Sequence, residues 1–423
     1  MRRLLLLVLT ATIALSGSAF AQVPSNDPND YAGTDSERIA AAVDAGVQYH
    51  NGTVVIPPRV PDEVADRDYW LLDSAILLPS DATLTLKSCA LKLSDECRDN
   101  FIRSANCGAG IEKVAPCEDI HIIGDGDVKL IGADHPRATG DSGKKLGERT
   151  YGTDAGKEGE SQTGDWRNIG ILLANVDRFT IKNISMINAH AWSVSLEKCA
   201  NGTVENLRFD STETREIDGQ SVKVLNVDGV DLRKGCHDIV VSGIRGRTGD
   251  DLVAATAIIP KTKKGGEFGS TEVCDYAEDE DLDVYNIVIK DVAGYAAGGH
   301  QIVRLLNGSG IKLYNVVVEN VVDESPEGVV DRATIRIGDA NPAWGGVTPL
   351  GDAHGFTIRN IESRSRQAVL IAGSLADSSI ENVKDYNPKS RGVCYESGIE
   401  NVRNVRVEGV VHAPKDQQRN GIR

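Results

Sequence analysis

The chain has 423 residues, with 46 Lys and Arg against 62 Asp and Glu, a formal charge of −16 and 5% aromatic residues. So acidic a surface argues against nucleic acid and anionic membrane as partners. The length could hold two or three domains, but no Pro- or Gly/Ser-rich linker and no abrupt change of pattern after residue 120 divides it, so one domain is expected.

Residues 1–21 begin with Arg2 and Arg3, continue through an apolar run and end in Ala19-Phe20-Ala21. They read as a secretory signal peptide cleaved after Ala21. Its removal deletes two positive charges and no acid, taking −16 to −18. No later segment reaches the roughly 18 apolar residues of a membrane span. The expectation is an exported monomer, secreted or periplasmic. Cysteines stand at 89, 97, 107, 117, 199, 236, 274 and 394, and an even number in an exported chain permits disulfides. No Cys-x-x-Cys or His-rich spacing supports zinc, and neither metal nor cofactor is expected.

Asp35 to Gln48 forms an amphipathic helical pattern with Thr34 or Asp35 as its cap and Ile39, Ala42, Val43 and Val47 on one face. Short apolar runs follow at Val54-Val55-Ile56, Trp70-Leu71-Leu72, Ile76-Leu77-Leu78 and Leu84-Thr85-Leu86. A helix leading into such strands suits the plug at the open end of a solenoid, so 22–119 is read as the cap and first coils. From 120 to 413 a loose unit recurs: a turn, an apolar alternation, an Asn, an apolar residue. Examples are Phe179-Thr180-Ile181-Lys182-Asn183-Ile184, Val204-Glu205-Asn206-Leu207, Leu313-Tyr314-Asn315-Val316 and Ile358-Arg359-Asn360-Ile361. Short β units at such a period mean stacked coils, and an all-β, right-handed parallel β-helix fits best. The recurrent Asn suits a ladder of stacked amides. Insertions at 136–165, 259–284 and 339–353 interrupt the stacking and can wall a cleft.

The densest chemistry lies between Asn226 and Asp251. Asp228 and the pair Asp250-Asp251 flank an apolar strand pattern, and 22 residues separate Asp228 from Asp250. In a chain coiling once per roughly 20–25 residues that interval returns to the same side one layer up, where strands lie about 4.8 Å apart. Carboxylates so close cannot all ionise at their usual pKa, so one holds a proton as a general acid beside ionised partners able to activate water. Asp-Gly and Gly-Asp are also plain turn dipeptides, and any one of these acids alone could be only that. Further on stand Gly299-His300, then Arg304, then Arg336 within an alternating strand. A His among strands is commonly structural. An Arg on an outward face could grip a sugar hydroxyl or carboxylate.

The order Asn226-Val227-Asp228-Gly229, Gly249-Asp250-Asp251, Gly299-His300, Arg336-Ile337 resembles glycoside hydrolase family 28, the polygalacturonase-like enzymes, most firmly over residues 170–340. The resemblance implies a pectin lyase-like β-helix that hydrolyses a cell-wall polysaccharide with inversion. Asp250 matches the general acid, Asp228 and Asp251 the carboxylates that activate water, His300 a supporting histidine and Arg336 the substrate-binding arginine. Asn226 and Arg304 are further candidates for substrate binding. The separation of the acids should be wide enough to admit a water. Val227 replaces the family's Thr, Gln301 its Gly, and Gly338 stands where a substrate-binding Lys is expected. The missing Lys puts a uronate in that subsite in doubt, unless Arg304 or Lys261, Lys263 and Lys264 compensate. A polysaccharide lyase on the same fold and a non-catalytic carbohydrate-binding β-helix are the competing readings.

Overall fold

A computed structural model describes residues 23–63, 65–97, 99–108, 111, 113–135, 165–259 and 272–412. The predicted signal peptide, nearly all of the 136–165 insertion, and Lys261, Lys263 and Lys264 fall outside them. The molecule is a right-handed parallel β-helix with one α-helix, Asp35–Tyr49, at its N-terminal end. Thr34 caps that helix, with its side chain on the Glu37 N–H and the Glu37 carboxylate on the Thr34 N–H, satisfying two donors that helix geometry leaves open. Ile39, Ala42 and Val43 turn inward as expected, whereas Val47 is exposed because Ala45 and Gly46 take the buried side of the last turn.

Strands along the chain stack in parallel into a ten-stranded sheet and a bent sixteen-stranded sheet. In the ten-stranded sheet the strands Val194–Glu197, Val230–Arg233, Val253–Ala257, Gln301–Asn307, Ala333–Ile337 and Val369–Ile371 follow one another in sequence order. Period-two alternation decides which side chains go inside. Val194, Val230, Val253, Val303, Ile335 and Val369 form one inward column in register, and Leu196, Leu232, Ala255, Leu305 and Ile337 the next. Each is almost wholly buried, and each Val, Leu or Ile among them contributes about 1.5–3 kcal/mol by burial. The residues between them point outward, which places Asp231, Ala254, Arg304 and Arg336 in one outward row on successive coils.

The sixteen-stranded sheet bends at two columns of residues in left-handed backbone conformation. One holds Asn201, Asp238, Asn286, Asn315, Gly355, Asp377 and Asn404, and the other Asn206, Gly243, Asp291, Asn320, Asn360, Asn382 and Gly409, all with φ between 48° and 70°. Asn, Asp and Gly tolerate that conformation with little strain. The expected amide ladder is present: Asn320 donates to Asp291 at 2.9 Å, Asn360 to Asn320 at 3.0 Å and Asn382 to Asn360 at 3.3 Å.

The permitted disulfides are not formed among the described residues. Cys199 and Cys236 precede the register-paired Ala200 and His237, so their Cβ vectors run parallel instead of converging. Their thiols donate to carbonyls, Cys199 to Leu173 at 3.3 Å and Cys236 to Leu196 at 3.2 Å.

Candidate active site

The outward face of the ten-stranded sheet carries a cavity of about 680 Å³. It gathers Asn226, Asp228, Asp250, Asp251, His300, Arg304 and Arg336, all seven residues singled out in the sequence. Gly338 is not among the residues that line it.

Register explains how the acids meet. Val230 pairs with Val253 and Val253 with Val303, so counting back two residues stacks Asp228, Asp251 and Gln301 in one column. The residue one coil above Asp228 is therefore Asp251 and not Asp250, because this coil is 23 residues long. Asp251 donates its backbone N–H to the Asp228 carboxylate at 2.8 Å, and Gln301 donates its own to Asp251 at 3.0 Å. Asp250 heads a neighbouring column under His300, whose Nδ1 lies 2.9 Å from Asp250 Oδ1. The turn leading to His300 passes close over the one below: a Cβ on Gly298 would lie 2.2 Å from the Gly249 carbonyl oxygen. Only glycine lets His300 sit this low over Asp250.

The electrostatics separate these groups. Asp228 is buried, and burial first, then the charges of Asp250, Asp231 and Asp251, push its pKa well above the usual carboxylate range. Burial and the Asp250 charge raise Asp251 to about 6. The hydrogen bond to Asp250 raises His300. Asp250 is the most open of the three, with 23% of its side chain exposed against 7% for Asp251. The nearest ligand atoms of Asp250, Asp251 and His300 all lie within 4.8 Å of one another. The same three groups could chelate a divalent cation, although His300 already faces Asp250 and the Gln301 N–H already occupies Asp251.

Arg304 and Arg336 form the floor. Arg304 donates to Gln301 at 3.0 Å and to Asp339 at 2.7 Å, and Arg336 lies 3.0 Å from the same Asp339 oxygen. Burial lowers the Arg336 pKa. No side chain could stand at 338: Gly338 has φ +66°, and a Cβ there would approach the Gly373 Cα to 2.6 Å.

Sequence reasoning missed several parts of the site. Asp231 lies buried on the outward row, raised to about 8 chiefly by burial, with Thr256 donating to it at 3.3 Å. Its alternation with Val230 and Leu232 was the available signal. Trp192 lines the cavity from the coil below, with the Arg233 guanidinium 4.2 Å from its ring centroid. A hairpin, Thr214–Ile217 with Gln220–Lys223, stands beside His300, whose field includes Glu213. Its Asp218-Gly219 turn is a strong hairpin signal. Asp339 and Glu396 also line the cavity. Glu396 arrives from a coil 60 residues beyond Arg336, and nothing local in the sequence marks it.

The model of glycosyl hydrolases family 28 matches residues 139–262, a stretch that holds Asp228, Asp250 and Asp251 but stops short of His300 and Arg336. No curated protein sequence matches the chain. Among solved structures, the polygalacturonase from Erwinia carotovora ssp. carotovora is similar at 16% identity and TM-score 0.52, over 89% of this chain and 94% of that one. The hyperthermoactive exopolygalacturonase from Thermotoga maritima is similar at 15% identity and TM-score 0.53, over 92% of each chain. A tailspike protein of E. coli bacteriophage HK620, solved with a pentasaccharide, is similar at 15% and TM-score 0.53, over 92% of this chain and 64% of that one. At these identities the likeness to solved structures is one of fold. The resemblance to glycoside hydrolase family 28 is thus carried by the family match and the shared β-helix together.

Proposed function

We propose that the protein is an inverting glycoside hydrolase that cleaves a cell-wall polysaccharide, exported by residues 1–21 and working as a monomeric single domain from residue 22. One observation carries the reading: Asp228, Asp250, Asp251 and His300 meet at one open cavity in unequal environments. A purely structural β-helix has no need of three adjoining carboxyls, two of which burial and repulsion keep near protonation.

Asp250 takes the acid role, because it is the acid most open to a bound glycosidic oxygen. On departure of the leaving group the proton passes from the Asp250 carboxyl to that oxygen. Asp251, raised only to about 6 and so ionised at neutral pH, receives the proton of the attacking water, while Asp228, one coil below, holds Asp251 in place through the Asp251 N–H and stays protonated. His300 positions Asp250 and balances its charge after transfer. Arg304 and Arg336 orient the ring on the floor, and Asn226 contacts it from the side of Asp228.

One oxygen each of Asp250 and Asp251 within 4.8 Å also fits a second reading, a double displacement with retention, for which carboxyls about 5–5.5 Å apart are usual. Asp251 is, however, buried and already bonded by Gln301, a poor position for in-line attack on a sugar carbon. A reducing-sugar screen of the mature protein on polygalacturonan, rhamnogalacturonan, xylogalacturonan and neutral glycans tests the function, with Asp250→Asn as control. Proton NMR of the first product anomer then decides between inversion and retention. No new reducing ends from any polymer would leave a binding protein.

A further inference from the structure

Both guanidiniums on the cavity floor already have a carboxylate. Arg304 and Arg336 are register partners on consecutive coils, and both close on Oδ2 of Asp339, at 2.7 and 3.0 Å. Asp339 is buried, and its other oxygen accepts the Asn341 N–H at 2.9 Å. Next along, Arg332 lies 3.1 Å from Glu396, and Arg336 3.8 Å from the same carboxylate. Each arginine lining the cavity among the described residues therefore faces an acid supplied by the protein. The next outward position after Arg336 is Gly338, packed so tightly on Gly373 that no further cation fits there.

What the floor still offers is chemistry for an uncharged ring. Arg304 and Arg336 line the cavity with their charge already met by Asp339, so their remaining N–H groups suit hydroxyl or ring oxygens. Leu306 lies beside them, and the indole of Trp344, 39% exposed, lines the same end of the cavity. A sugar ring has oxygens for the first and an apolar face for the second. A uronate would instead bring a second carboxylate to a guanidinium pair that Asp339 already serves, and like charges at that distance repel.

We propose that the subsite over Arg304 and Arg336 takes a neutral pyranose and rejects a uronate, and that Asp339 sets this choice by filling the place of a substrate carboxylate. The inference rests on the hydrolase reading, and its test separates the two. Initial rates are measured on polygalacturonate and on the same polymer after carboxyl reduction, with binding of galactose and galacturonate followed by tryptophan fluorescence. The expected result is kcat/KM at least about tenfold higher on the reduced polymer, with the difference in KM, and quenching by galactose at lower concentration than by galacturonate. Asp339→Asn should narrow the ratio by lowering KM for the uronate polymer while kcat changes little. A faster reaction on the uronate polymer, or tighter binding of galacturonate, by the unmodified protein overturns the inference even if the variant does not fold. If neither these polymers nor any glycan of the wider screen is cut but galactose binds, the hydrolase reading falls and the subsite assignment stands. If none is cut and neither sugar binds, both fall.

Discussion

The Asp251 backbone N–H reaches down one coil to the Asp228 carboxylate at 2.8 Å, so the stacking that builds the solenoid also fixes the spacing of two acids. Neither residue can shift without disturbing the register of the strands that follow them, Val230–Arg233 and Val253–Ala257.

Replacing Asp250 with Asn removes the transferable proton while keeping size and hydrogen bonding. Turnover should fall by about 10³-fold or more, with oligosaccharide binding and the melting temperature little changed. Undiminished release of reducing ends would take Asp250 out of the acid role.

His300→Ala should lower kcat by roughly 10²-fold, within the range of a positioned acid–base group, with KM nearly constant. Because the Asp250 carboxylate raises the His300 pKa, the alkaline limb of the kcat profile should also move. A pH profile superimposable on the parent would show that His300 does not act through Asp250.

Stability should decline from mildly acidic pH towards alkaline pH. Asp231 and Asp251 bind protons more tightly when folded, raised from 3.8 to about 8 and about 6, so their contribution is complete below about pH 4 and lost as pH rises through those values. His300, also raised, loses its share on the same upward path. Asp35 and Asp62 act in the opposite sense, lowered when folded, Asp62 to about 2, and weaken the fold only as pH falls below about 4. Calorimetry should give a Tm roughly 5 °C or more higher at pH 5 than at pH 8, and Asp231→Asn should flatten that slope. A Tm that rises between pH 5 and 8 contradicts this assignment.

Lys234 is fully buried between Glu197 at 3.0 Å and Glu272 at 2.7 Å, and Glu197 also accepts the Val273 and Cys274 N–H groups. Lys234→Met removes the cation that Glu197 and Glu272 share, leaving Glu272 its ion pair with Arg233 at 3.2 Å, at a cost of about 3–5 kcal/mol. The chain around 272–274 should then become the first site of limited proteolysis, mapped by mass spectrometry.

Chelation offers a check on mechanism. Hydrolysis by Asp228, Asp250 and Asp251 should survive excess EDTA and yield products without new ultraviolet absorbance. Loss of activity in chelator together with ultraviolet-absorbing products would instead mark a lyase using these acids as cation ligands.

Most of the coil architecture was legible because each strand announces itself by alternation and each corner by Asn, Asp or Gly. The site was legible where its residues follow one another within a coil, as Asp250 and Asp251 do. Stacking depends on coil length to the residue, which is why Asp250 was placed above Asp228 when Asp251 belongs there: a difference of one residue moves a side chain into the next column. Asp339 and Glu396 were invisible for another reason. Their partners, Arg304 and Arg336, are set by which coils touch, and no local pattern encodes that. Cys199 and Cys236, a pair on adjacent coils, show why a permitted disulfide need not form: both thiols turn to carbonyls below them.

Asn201 and Asn206, Asp238 and Gly243, Asn286 and Asp291, Asn315 and Asn320, Gly355 and Asn360, Asp377 and Asn382, Asn404 and Gly409 all keep the same interval of five positions between the two bent columns. That interval works as a fixed gauge, and all variation in loop length is pushed to the rest of the circuit. Chain can therefore be added beside the cavity, as between Val253–Ala257 and Gln301–Asn307, without moving the acids, whereas a single residue added inside the gauge would dislocate every layer beyond it. The molecule can change what it grips while leaving untouched the frame that holds its reactive groups.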